Sequence, residues 1–143
     1  DVAIAEKKQN KVFDYKFVAY NYRMASINAA LALSQIQNLD KMITLKRNIY
    51  RKYQSLFKKL NDCYIFKEPK YCKSNYWQNA LLLKKNVIKS RNKIIKKLQL
   101  QNIDVTIGWR LLNEMEHFKN CPRSNLSQSK LISESMINLP SYK

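Results

Sequence analysis

The sequence predicts an α+β domain: a small sheet of three short strands covered by about four helices. Three observations point there. Apolar residues recur at helical spacing over two adjoining segments, 26–38 and 39–60, and again over 90–100 and 127–136. Short runs rich in aromatic and β-branched residues lie between them, at 64–66, 75–83 and 103–107. The resulting order is helix, helix, strand, strand, helix, strand, helix. It contains no repeat and no low-complexity linker, and it suits helices packed on a small sheet.

Residues 1–11 are polar and charged and read as an irregular lead-in, followed by an extended run at 12–18. Ser26 is placed to cap the first helix through its hydroxyl. That helix has apolar residues almost all the way round, including Ile27, Leu31, Leu33 and Ile36 between alanines. A helix apolar on every side must be buried on every side, so packing against another domain or subunit is expected. The second helix is one-sided. Met42, Ile43, Ile49, Tyr50, Tyr53, Leu56, Phe57 and Leu60 form a stripe, while Lys41, Lys46, Arg47, Arg51, Lys52, Lys58 and Lys59 fall mostly off it. A core-facing stripe with a wet back explains this better than a basic helix lying on nucleic acid.

Asn61 and Asp62 end that helix, and Pro69 closes the strand at 64–66. In the strand at 75–83, alternation puts Trp77 and Leu81 on one face and Tyr76 and Leu82 on the other. Trp77 is expected in the core, with Asn75 and Asn79 as polar groups at strand ends. Ser90 is expected to cap a helix whose Ile94, Ile95 and Leu98 point inward. The strand at 103–107 breaks at Gly108, the one glycine of the chain. A loop or short helix carries Trp109 to Phe118, and the last helix runs from Ser127 to about Met136, with Leu139 and Pro140 ending the domain.

The 143 residues, 45% of them hydrophobic, can build one domain with a core. Cys63, Cys72 and Cys121 have no Cys-x-x-Cys spacing and His117 stands alone, so no metal site is assigned. An odd cysteine count without close pairs suits a reducing compartment, and a cytoplasmic location is expected. The apolar runs at 29–33 and 80–83 are too short to span a bilayer. No leader peptide and no membrane partner are expected. The first residue is Asp1, which suggests a processed, truncated or excised piece. The formal net charge of +17 invites a nucleic-acid or anionic-membrane reading. The basic residues run from Lys7 to Lys143, so the sequence favours a solvated basic surface over a polyanion site.

Tyr20-Asn21-Tyr22-Arg23-Met24 leads directly into the first helix. A helix N-terminus carries free N–H groups and partial positive charge, which attract anions. Asn21 and Arg23 add donors suited to a phosphate or carboxylate. On residue types and spacing alone, a polar turn before a core helix explains the segment better.

The same run, with Ile27-Asn28-Ala29-Ala30 and Gln35 four residues before Leu39, resembles a segment of the DegT/StrS-type sugar-nucleotide aminotransferases. Further similarities follow in order: Lys46-Arg47 with Tyr53 and Leu56; Ser74-Asn75-Tyr76-Trp77-Gln78-Asn79-Ala80; Ile103-Asp104-Val105-Thr106 with Trp109; Phe118-Lys119-Asn120-Cys121-Pro122; and Ile137-Asn138-Leu139-Pro140-Ser141. The run at 74–80 is similar to the subgroup that makes nonulosonic-acid precursors such as legionaminic acid. The resemblance spans 17–141.

It implies the small C-terminal domain of a fold-type I transferase dependent on pyridoxal phosphate (PLP), with residues 1–25 as lead-in and cofactor-facing loop and 26–143 as the domain. The parent reaction would move an amino group from an amino acid, expected to be glutamate, to a nucleotide-linked 4-keto sugar for cell-surface polysaccharide or nonulosonic acid. Such chemistry needs a lysine that bonds the cofactor. Lys7 and Lys8 lack the Ser-containing or Gly-rich context, so no catalytic residue is assigned, the large domain is expected elsewhere, and the chain alone is expected to be inactive.

The resemblance implies that Asn21 reaches the PLP phosphate of the other subunit of a homodimer. Arg23 either joins that phosphate or anchors the loop on a carboxylate. Trp109 and His117 fall on the substrate-facing loop, although a solvent-exposed or structural role suits His117 better. Ala19 stands where the family has Gly, and Ile107 and Gly108 stand where it has Arg-Pro, which removes a charged contact. Two other classes stay open: a small basic nucleic-acid-binding module, and a dead remnant that pairs with an intact paralogue.

Overall fold

The computed structural model describes residue 20 and residues 22–142. The chain divides into two units, Asp1–Asp40 and Lys41–Lys143. The extended run expected at 12–18 lies outside the described residues.

In the first unit, helix α1 spans Ser26–Ile36. Its N-cap is Ala25, in extended conformation and without a side-chain cap, so Ser26 is the first helical residue and not the cap. The helix ends through Asn38, whose side-chain amide donates to the Ser34 carbonyl at 3.1 Å. No residue of α1 is buried. Ile27, Leu31, Leu33 and Ile36 are between 58% and 78% exposed. The helix forms where its pattern predicts.

The second unit is built on α2 (Leu39–Phe57), β1 (Cys63–Ile65), β2 (Asn79–Leu83), α3 (Arg91–Leu100), β3 (Thr106–Ile107), α4 (Ser127–Ser135) and β4 (Met136–Leu139). The strands form one sheet in the order β1-β2-β4-β3, antiparallel throughout. Register sets the faces: Cys63 pairs with Leu83, Ile65 with Leu81, Leu81 with Ile137, and Asn79 with Leu139. Because strand side chains alternate, these residues share one face. The core forms there, with Tyr50 from α2, Ile95 from α3 and Val105 packed onto the strands. Val105 and Ile137 are fully buried. Burying such an aliphatic side chain contributes about 1.5–3 kcal/mol. On the other face, α4 packs against β2.

The α+β class holds, and the sheet has four strands instead of three. The last helix was expected to run to about Met136, with Leu139 and Pro140 ending the domain; residues 136–139 are instead β4, placed centrally between β2 and β3. Met136 turns extended immediately after α4 without a turn residue between, so nothing local announces the change. The strand expected at 75–83 begins only at Asn79, and β3 shrinks to Thr106–Ile107. Helix α3 begins at Arg91, and Ser90 provides no side-chain cap. Its C-terminus is closed by Asn102, whose φ of 58° lies in the left-handed region. The Ile103 amide returns to the Leu98 carbonyl at 3.1 Å and that of Asn102 to Gln99 at 2.9 Å, the paired bonds of a Schellman ending.

Candidate functional site

The densest polar constellation of the second unit surrounds Arg47, in the middle of α2. Its guanidinium meets Glu68 through both nitrogens: Nη1 donates to Oε2 at 3.1 Å, and Nη2 pairs with Oε1. Nη1 also donates to the Ser74 carbonyl at 2.5 Å. The Ser74 amide returns a bond to Glu68 Oε2 at 2.5 Å, and the Glu68 amide donates to Tyr76 Oη at 3.3 Å. The planar fork of arginine suits this bidentate geometry. The Arg47 bond, with help from the Ser74 amide, holds the Glu68 carboxyl below its ordinary range, and the same pair raises Arg47. Tyr76 is stacked on Tyr50, ring centroids 3.9 Å apart, with the guanidinium carbon of Arg47 5.2 Å from the Tyr76 centroid. Burial, reinforced by Tyr76, pushes the Tyr50 phenol up to about 12. Both charges of the ion pair are engaged, and the cluster ties residues 68–76 to α2.

A second set of bonds ties down the C-terminal segment. Lys46 Nζ donates to the Ser141 carbonyl at 3.0 Å, Tyr53 Oη donates to the Pro140 carbonyl at 3.0 Å, and Tyr142 Oη donates to Asp104 at 2.9 Å. Ser141 Oγ donates to the Trp77 carbonyl. Between this strap and α2 runs a groove of about 570 Å³, lined by Met42, Leu45, Ile49 and Tyr142 with Lys46 and Lys52 beside them.

Among the residues the sequence singles out, Asn21 lies outside the described residues. Arg23 is exposed and precedes α1 by three residues. The start of α1 has no side-chain cap and no acidic residue in its first turn. Its first amides can therefore receive an anion. Trp109 is 75% exposed just beyond β3, and His117 is exposed in a 3-10 turn, Glu116–Phe118. Both belong to the connection from β3 to α4, and among the described residues no hydrogen bond links them. Beside Trp109, Gly108 lets Met136 approach. A Cβ at 108 would fall 2.1 Å from the Met136 methyl group, the movable end of that side chain. No described group of His, Cys, Asp and Glu could hold a metal ion.

Trp77 was expected in the core and is 61% exposed. The reason is local. Tyr76 has a φ of 48°, which interrupts the strand pleat, and the Asn75 side chain accepts the Trp77 amide at 3.0 Å in a tight turn. Tyr76 enters the core in its place. Asn79 opens a strand as expected and is 1% exposed. Sequence reasoning missed the Arg47–Glu68 pair. Its one available signal was that Glu68 is the sole carboxylate between Asp62 and Asp104 in a strongly basic chain.

The sequence profile of the DegT/DnrJ/EryC1/StrS aminotransferase family matches residues 2–143. The chain is 30% identical over 135 residues to GDP-perosamine synthase of Vibrio cholerae, covering 92% of this chain and 36% of that protein. Among solved structures it is similar to Helicobacter pylori PseC, an aminotransferase involved in the biosynthesis of pseudoaminic acid. That match has a TM-score of 0.81 and 17% identity, and covers 93% of this chain and 37% of PseC. It is also similar to Spr1654 from Streptococcus pneumoniae, described as a sugar aminotransferase and solved in its PLP form, with a TM-score of 0.76, 20% identity, and 92% and 35% covered. The chain thus spans about a third of the length of these relatives. The structural likenesses show the shared fold, that of fold-type I sugar aminotransferases. No helix among the described residues is long and apolar enough to cross a membrane.

Proposed function

The chain belongs to the DegT/DnrJ/EryC1/StrS aminotransferase family, and from that premise we propose that it is the small C-terminal part of a PLP-dependent enzyme that aminates a nucleotide-linked 4-keto sugar. Residues 26–143 form that part in this reading, and residues 1–25 are its lead-in and cofactor-facing loop. The observation that carries the proposal is α1, which is apolar on all sides and has no buried residue. So much apolar surface in water calls for a cover. The remaining two-thirds of a relative-length protein is the cover we propose, with a homodimer completing the site. Nonulosonic-acid or surface-polysaccharide synthesis, a cytoplasmic setting and glutamate as donor belong to the same reading. The run Ser74 to Ala80 supports the legionaminic-type subgroup.

The residues present fit one end of the cofactor. The uncapped start of α1, free of acidic residues, suits a phosphate group. Asn21 would donate to a phosphate oxygen without adding charge. Arg23 would neutralise the same phosphate or hold the loop on a carboxylate. When bound, PLP supplies the carbonyl that accepts an amino group and the ring that takes up electrons. The lysine that bonds it would come from the remainder of the protein. Trp109 and His117, exposed on one connection, would face the substrate. The chain's own task is binding, orientation and exclusion of water.

Joining this chain to the upstream two-thirds of a family relative tests the reading. The fusion should retain PLP through desalting, seen by its visible absorbance, and replacing Asn21 by Ala should weaken that retention. A folded fusion that holds no PLP would overturn the proposal.

A further inference from the structure

The positive charge is less evenly distributed than its spread from Lys7 to Lys143 suggests. Residues 69–103 contain nine Lys or Arg and no Asp or Glu. More than half of the net +17 therefore comes from a quarter of the chain. The fold concentrates it further. Lys89, on the 3-10 turn ahead of α3, and Lys93, Lys96 and Lys97, on α3 itself, follow one another at helical spacing and share one face. The opposite face holds Ile94, Ile95 and Leu98, which pack into the core. All four lysines are exposed, and among the described residues none of them forms an ion pair. Lys84 and Lys85, also exposed, extend the basic surface into the turn before α3.

Two acids lie on neighbouring elements. Asp62 is the carboxylate beside the 84–86 turn, and its Oδ1 accepts from Asn86 at 2.7 Å. On α4, Glu134 is exposed, while Arg91 turns to the Ser133 carbonyl at 2.5 Å and adds nothing to the stripe.

We propose that the lysine face of α3 binds the phosphate backbone of a nucleic acid. This site is separate from the transferase reading and does not depend on it. Like charges held in a row repel one another unless an extended anion lies along them. From Lys89 to Lys97 the stripe spans about 12 Å at the helical rise of ~1.5 Å per residue. Duplex DNA carries one charge per ~1.7 Å of axis, so several phosphates fall within reach. Lysine is a compact, hydrated point charge suited to phosphates, and the amide on this face, Asn92, has its oxygen engaged by Arg91 at 3.4 Å, so binding is independent of sequence. An anionic membrane fits less well. Leu100 is the single large apolar side chain on the face, and burying one leucine, about 1.5–3 kcal/mol, does not seat a helix in lipid.

The test is fluorescence anisotropy of a short DNA duplex, and separately of a single-stranded RNA of equal length, titrated with the chain at several salt concentrations. The quadruple variant Lys89→Gln, Lys93→Gln, Lys96→Gln, Lys97→Gln is compared with Lys41→Gln, Lys52→Gln, Lys58→Gln, Lys59→Gln on α2, which removes the same charge. Circular dichroism verifies that both are folded. For the duplex, the α3 variant should lower the slope of log K against log salt by about 3.6, near 0.9 for each of four phosphate contacts, and the α2 variant by less than 1. Preference between the two probes identifies which nucleic acid supplies the phosphates. Equal losses from both quadruples would reduce the effect to net charge and overturn the site. So would the absence of binding at physiological salt, or anionic vesicles that bind as tightly and depend on the same four lysines.

Discussion

Helices α1 and α2 are neighbours in the chain and opposites in pattern. Helix α2 is one-sided, and its Tyr50, Tyr53 and Phe57 are taken up by the core of the sheet unit. Helix α1 carries more apolar residues for its length, arranged on all sides, and none is buried. The difference teaches that apolar content and self-burial are separate properties. A stripe can be satisfied by one sheet, whereas an all-round apolar surface needs partners on several sides. The fold of the second unit therefore stands on α2, α3 and the strands.

The largest effects should separate these two regions. Ile137→Ala removes a fully buried side chain from the centre of the sheet and should cost about 2–5 kcal/mol in urea denaturation. Leu31→Ala, on α1, should stay within about 0.5 kcal/mol. Equal costs would break the comparison, because they would mean that α1 is part of the cooperative core. A smaller effect sharpens it at the helix ends. Helix α1 closes through a side-chain bond from Asn38, whereas α3 closes through the left-handed Asn102. Asn102→Ala should lower the thermal midpoint by an amount corresponding to about 1 kcal/mol, and Asn102→Gly should not.

The mildest effect concerns pH. The Glu68 carboxyl lies below its ordinary value of 4.5 because Arg47 and the Ser74 amide bind its charged form. The stability it contributes is therefore fully present above 4.5, and it is lost as pH falls through the lower folded value. Glu68→Gln should flatten the acid side of a stability-against-pH curve for the sheet unit. A curve of unchanged shape would show that the pair does not couple residues 68–76 to α2.

The parts that were legible from sequence are those with a repeating local signal. The stripe of α2 predicted Tyr50, Tyr53 and Phe57 on its inward face, although Met42, Leu56 and Leu60 of the same stripe are exposed; the inward triplet Ile94, Ile95 and Leu98 predicted that of α3, and the stretch from Trp109 to His117 was recognisable as a connection. What failed depended on backbone turns and distant partners. Alternation from Asn75 predicted Trp77 in the core, but the positive φ of Tyr76 breaks the alternation and exchanges the two aromatics. Strand β4 was concealed because α4 passes into it without a turn residue. The Arg47–Glu68 pair joins residues 21 apart on a helix and a loop, a separation to which no periodicity applies. The candidate site was legible only as residue types in order: Asn21 and Arg23 before a helix start, Trp109 and His117 on a connection.

By itself, the sequence determined which segments become helices, which face of α2 and α3 turns inward, and the excess of positive charge, because these depend on residues a few positions apart. The tertiary structure decided the central place of β4, the exchange of Tyr76 for Trp77 and the capture of Arg47 by Glu68. Each of those depends on contacts made or missing across the fold, and side-chain identity along the chain does not encode distance.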